Sequence, residues 1–225
     1  MRRPGLPATL LACLLACCGR AGAGTFEAKV AGPGGQAVAD AAVVLEPLAP
    51  APAHAHGRPA AHAAAHAATH VTIEQRGAEF IPYLTVVQTG TSIDFPNNDT
   101  TRHHVYSFSA PKRFEIKLYV GKPSKPVLFD QPGEVVIGCN IHDWMEAHVL
   151  VVDSPWFAKS GADGRVDIAN VPPGRYRLRL WHPLQKAAAP LQEIEIGAAP
   201  AHLALALDVK PREVRPHTEV DQDHY

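Results

Sequence analysis

Cys139, His142 and Met145 follow one another at a Cys-x2-His-x2-Met spacing, so a thiolate, an imidazole and a thioether fall within seven residues. That soft, mixed donor set suits copper passing between its two oxidation states, whereas zinc, magnesium and calcium gain little from a thioether. A tight loop at the end of a strand can aim all three donors at one point. A fourth donor has to come from another segment. The stretch 97–106, Asn-Asn-Asp-Thr-Thr-Arg-His-His-Val-Tyr, offers one where an Asn pair and a turn lead into a strand opening on histidine.

The loop must be carried by its flanks, and Gly133 to Val152 reads as two β-type apolar runs joined by it. Val135, Ile137 and Cys139 share one face by the two-residue period, which turns the thiolate toward the core. Upstream, Ala78 to Val87 leads to Gly90, and Ser92 to Phe95 reaches the Asn pair. Pro82 suits an edge or a strand start. Val105 to Phe108 continues from the histidines, Phe114 to Tyr119 alternates, 121–126 is a turn, and Val127 to Phe129 follows. A Cys–His nucleophile fits this arrangement less well. Nucleophile and base usually come from distant segments, and here they are three residues apart.

In this order of motifs the chain resembles the cupredoxins, the type 1 copper proteins of plastocyanin and amicyanin type. The residues that carry the likeness are Phe80-Ile81-Pro82, Val86 to Asn98, His103, Pro132 to Cys139 and the short Cys–His–Met loop, within roughly Val71 to Asp153. The resemblance implies an all-β, Greek-key β-sandwich holding one copper ion. It implies the ligands His103, Cys139, His142 and a weak axial Met145. His103 falls five residues after Asn98, as the family's ligand does, and His104 then stands where the family has Asn. Strand parity puts His104 on the face of Tyr106 and Phe108, and His104 stays open as the alternative. Glu146 and His148 are further alternatives to Met145, each also readable as a plain strand residue. The implied activity is electron carriage rather than catalysis, with a redox partner protein such as a c-type cytochrome or a dehydrogenase. The electron would leave by an exposed edge of His142. Chains of this layout also look like bacterial methylamine-utilisation or plastocyanin-like proteins, although no residue here reads out methylamine chemistry.

Two hundred and twenty-five residues with 46% apolar content can build one ordinary domain or two small ones. A formal charge of −1 without a basic block argues against nucleic acid as a partner. Residues 1–23 combine Met1-Arg2-Arg3, an apolar run from Leu6 to Cys18 and the small residues Ala21-Gly22-Ala23, the pattern of a signal peptide for export to the periplasm. Losing Arg2, Arg3 and Arg20 with it takes the charge from −1 to −4. Leu14 to Cys17 also resembles a lipoprotein signal, which would leave a lipid anchor at Cys17. Three of the four cysteines lie in this segment, so Cys139 has no partner for an internal disulfide, and metal ligation explains a lone thiol after export. A buried, inert cysteine is the plainer alternative. No other run reaches the about 20 apolar residues that a membrane span needs.

Residues 24–47 alternate as two strands around a Gly-Pro-Gly-Gly turn, and 154–209 carries more: Gly161 to Ile168, Val171 to Leu180, Glu193 to Ile196 and Leu203 to Leu207. Together they resemble a small prealbumin-like sandwich related to carboxypeptidase regulatory domains, with 71–153 as a cupredoxin domain inserted in it. Two unrelated flanking segments packed on one enlarged sandwich are the alternative. Residues 48–70, rich in Ala, Pro and His, read as a mobile linker whose histidines at 54, 56, 62, 66 and 70 fit no closed site. If they do gather copper, delivery rather than electron transfer becomes the competing function, with a copper-dependent enzyme behind both. Residues 210–225 lack apolar pattern and read as a disordered tail. Trp156 and Trp181 read as packing residues, and Trp144 either flanks the ligand loop or covers it.

Overall fold

The structure, a computed structural model, describes residues 23–49, 70–123 and 125–212. The export segment with Cys17, the histidines at 54, 56, 62 and 66 and the 213–225 part of the tail lie outside the described residues. Seventeen strands and no helix make up the described residues, which is the all-β class read from the sequence. In chain order they begin with β1 (Gly24–Ala31), β2 (Ala42–Pro47), β3 (His70–Thr72), β4 (Glu74–Gln75), β5 (Phe80–Ile81) and β6 (Leu84–Gln88). Then come β7 (Thr91–Asp94), β8 (His103–Ser107), β9 (Phe114–Tyr119), β10 (Val127–Phe129), β11 (Gly133–Gly138) and β12 (Glu146–Val152). The last are β13 (Phe157–Lys159), β14 (Arg165–Val171), β15 (Gly174–Trp181), β16 (Gln192–Ile196) and β17 (Ala201–Ala206).

Strands from the two ends of the chain share two sheets, β14-β1-β17 and β13-β2-β15-β16. Alternation in β1 sends Phe26, Ala28 and Val30 inward, where they meet Val43 and Leu45 of β2 and Leu178 and Leu180 of β15. β2 and β13, the strands on either side of the long middle segment, are hydrogen-bonded neighbours with Phe157 opposite Val44. Ser160 fixes this junction, its hydroxyl donating to Val38 O and accepting from Ala41 N.

The middle segment forms a five-stranded sheet, β6-β12-β11-β8-β9, and a three-stranded one, β10-β7-β3, with the short ladder β4-β5. Between them lies a second core, with Ile73, Phe80, Phe95, Val105, Phe129, Ile137, Cys139 and Val149 buried. Leu150 and Val152 of β12 and Leu84 of β6 point the other way, onto Ala42, Val44, Phe157 and Trp181. The runs Ala-Val-Val-Leu in β2 and Val-Leu-Val-Val in β12 are therefore continuous in apolar character because both of their faces are buried. Each fully buried Leu or Val in this seam contributes about 1.5–3 kcal/mol. Lys159 adds a polar stitch, its Nζ donating to Leu84 O at 2.6 Å and to Asp40 Oδ1 at 2.8 Å.

Three sequence expectations shift. The run from Ala78 to Val87 is split into β5 and β6, and Pro82, after a cis peptide bond, sits between them. His70, read as linker, opens β3 and pairs in parallel with Ser92. Lys210 and Arg212, read as tail, are held: the amide of Lys210 donates to Leu184 O, and the guanidinium of Arg212 lies 4.0 Å over the Tyr83 ring.

Candidate metal centre

The centre forms where β11 ends beside the start of β8. β11 lies between β12 and β8, with Gly138 opposite Tyr106, and this brings the residue after β11 next to the first residues of β8. Cys139 leaves the sheet on the inward parity of Val135 and Ile137 and is 3% exposed. The chain then turns within one short loop, closed where the amide of Met145 donates to His142 O at 3.0 Å, and β12 begins at Glu146.

On the β8 side the approach is shaped by Asn97. Its backbone exchanges two hydrogen bonds with Gly121, and its side-chain amide donates to Thr101 O at 2.9 Å and Tyr119 O at 2.7 Å. Its Oδ1 accepts from the amide of Asp99. The resulting loop delivers His103 inward, fully buried, while His104 faces the opposite side of the sheet. There His104 donates to Glu115 Oε1 at 3.0 Å and lies in a row of rings with Tyr106 and Phe108.

His103, Cys139 and His142 converge, with one ligand atom from each lying within 4.8 Å of the others. The two Nδ1 atoms are 3.1 Å apart, and Cys139 Sγ is 3.8 Å from His142 Nδ1. Donors held by one first-row ion, N at about 2.0–2.1 Å and S at about 2.3 Å, lie roughly 3.1–3.6 Å (N to N) and roughly 3.3–3.8 Å (N to S) apart at angles of about 100–120°. The two separations, 3.1 Å and 3.8 Å, fall within these ranges, and the donor set of two imidazoles and a thiolate is one that copper favours.

Burial alone would raise the Cys139 pKa, but a hydrogen bond with His103 and the amides of Ile141, His104 and His142 outweigh it and hold the thiol below its ordinary value. The backbone of His104 serves the sulfur, while its side chain pairs with Glu115. For His103, burial lowers the pKa, while Cys139 and Asp99 raise it and prevail. His103 Nε2 donates to Asp99 Oδ2 at 2.8 Å. Asp99 also accepts from the amides of Gly77 at 2.7 Å and Ala78 at 2.9 Å. Burial would raise its pKa, and these three donors hold it down.

Met145, 2% exposed, shares the core with Cys139, and both line an open cleft of about 460 Å³ with Tyr106, Phe108 and Val136. Glu146 and His148 pair with each other at 2.9 Å instead of joining the cluster, and Asp143 is exposed. His142 is only 2% exposed, so the open ring edge implied for it is absent. Trp144 packs against it, ring centroids 5.1 Å apart, and donates from Nε1 to Ala78 O at 3.1 Å. Reading the sequence misses Asp99 and the Gly77–Ala78 turn, whose one visible signal is the glycine at 77 between two short strands.

No protein-family model and no curated protein sequence matches the chain. Among solved structures it is similar to a copper-containing nitrite reductase (NirK) from Thermus scotoductus SA-01, 26% identical over 36% of this chain, TM-score 0.34. The chain spans about a fifth of that enzyme's length, 22%. It is also similar to a purple cupredoxin from Nitrosopumilus maritimus, 20% identical over 37% of this chain and 98% of that one, TM-score 0.32. Amicyanin from Paracoccus versutus is 16% identical over 40% of this chain and 88% of that one, TM-score 0.33.

Proposed function

We propose that the protein is an exported electron carrier with one type 1 copper ion, which Nδ1 of His103, Sγ of Cys139 and Nδ1 of His142 would hold, with the Met145 thioether as a weaker fourth donor. The observation that carries this is the convergence of these three donors, brought from strand β8 and the loop after β11 into a core where each is at most 3% exposed. Bound copper would supply the one-electron couple. The chain does the rest. Burial keeps water from the donors, and the amides of Ile141, His104 and His142 stabilise negative charge on the sulfur. The hydrogen bond from His103 Nε2 to Asp99 fixes the tautomer that leaves Nδ1 facing the other donors. Donors held this firmly change little between oxidation states, which favours electron exchange over substrate chemistry. The counterpart is a redox partner protein such as a c-type cytochrome or a dehydrogenase. Export to the periplasm rests on the basic and apolar character of residues 1–23.

One equivalent of Cu(II) should give an intense visible charge-transfer band that bleaches on reduction. A pale spectrum, or a band that survives Cys139→Ser, would overturn the proposal. Copper held by the histidines between 54 and 70, and lost when that segment is deleted, would favour delivery.

A further inference from the structure

We propose that Asp99 is a positioning residue that biases the centre toward its oxidised state, and that the Gly77–Ala78 turn fastens both imidazoles through it. This rests on the copper reading above.

The carboxylate has no freedom to rotate. One oxygen accepts from Gly77 N at 2.7 Å, and the other accepts from Ala78 N at 2.9 Å and from His103 Nε2 at 2.8 Å. The turn that supplies the two amides has φ of +63° at Gly77 and +54° at Ala78. For Ala this left-handed conformation costs about 1–2 kcal/mol, and the paired bonds to one carboxylate compensate. The same turn reaches the other imidazole, because Ala78 O accepts from Trp144 Nε1 at 3.1 Å and the Trp144 ring packs on His142. Asp99, Ala78 and Trp144 thus link His103 to His142 around the outside of the donor cluster.

The charge has its own consequence. The Asp99 side chain is 17% exposed and stands one imidazole away from the donors, so solvent screens it poorly. A fixed negative charge there stabilises the ion of higher charge, favouring Cu(II) over Cu(I). Partners bonded to the far side of a ligand imidazole characteristically tune both affinity and potential.

The test compares the full-length copper protein with Asp99→Asn, Asp99→Ala and Asp130→Asn, the last an exposed carboxylate paired with Lys112 that makes the same change in net charge. Asp99→Asn should keep the visible band but shift the Cu(II)/Cu(I) balance toward Cu(I) on the order of tenfold, about 59 mV for one electron. The shift should persist at high salt, and Asp130→Asn should produce none of it. Asp99→Ala should lose 10- to 100-fold in copper affinity, the usual cost of removing such a partner. In the metal-free protein the ring N–H of His103 should give a downfield proton resonance that Asp99→Ala abolishes. A potential for Asp99→Asn equal to that of Asp130→Asn, with the wild-type band present, overturns this inference alone. Absence of the band in the wild-type protein overturns the copper reading and this inference together.

Discussion

Nδ1 of His103 and Nδ1 of His142 lie 3.1 Å apart across 39 residues of sequence. Two bare lone pairs would repel at that separation, so in the metal-free protein a proton lies between them, and a bound ion takes its place. Either histidine replaced by Ala should therefore abolish the intense band, and copper uptake by the unaltered protein should release protons into a weak buffer, read with an indicator dye.

His104 gives the opposite expectation. Its side chain is engaged with Glu115 on the far face of the sheet, and only its backbone serves the sulfur. His104→Gln should retain the band at close to wild-type intensity, whereas loss of the band would exchange the roles of the two histidines.

Met145 should matter to the potential more than to binding. Met145→Leu conserves volume in the core and should cost less than about 1.5 kcal/mol of stability. The band should persist while the reduction potential rises, since a weak axial ligand tunes the couple. Voltammetry of the variant against the wild type checks it.

The seam between the two sandwiches should be the most sensitive place outside the centre. Leu150, fully buried among Val44, Leu84 and Trp181, should cost about 2–5 kcal/mol on replacement by Ala, measured by urea unfolding. A value under about 1 kcal/mol would show that the two sandwiches do not depend on this contact.

Burial holds the His182 pKa below its ordinary 6.5; nearby His148 also lowers it, while Asp40 and a backbone hydrogen bond oppose. The folded protein thus binds this proton less readily than the unfolded chain. Its contribution to stability is intact above about 6.5 and is lost as the pH falls toward the depressed folded value. His182→Asn keeps an acceptor where His182 Nδ1 takes the amide of Leu184. The variant should lose less melting temperature than the wild type between about pH 7.5 and about pH 5.

Much of this was legible where one face of a strand is buried and the other wet. β9 lies at the residues its alternation indicates and β10 at the run read after the 121–126 turn, and the parity of Val135, Ile137 and Cys139 gives the inward thiol. Parity also separates His103 from His104, but only once it is known which face of β8 is the core. Asp99 was not legible, because its partners Gly77 and Ala78 lie in another loop and no periodicity links two loops. Nor was the seam, since Ala-Val-Val-Leu and Val-Leu-Val-Val look alike whether the second face meets solvent or another sheet.

The adjacency of β2 and β13 sets an order of events during synthesis. Ala41 and Ser160, bonded in the finished fold, are separated by 119 residues, so β2 waits for more than half of the chain before its neighbours exist. The middle segment can close its own ladders sooner, since long loops pay their closure entropy before any contact rewards them. A ribosome-bound chain would thus carry a finished inner unit while its first two strands still lacked company.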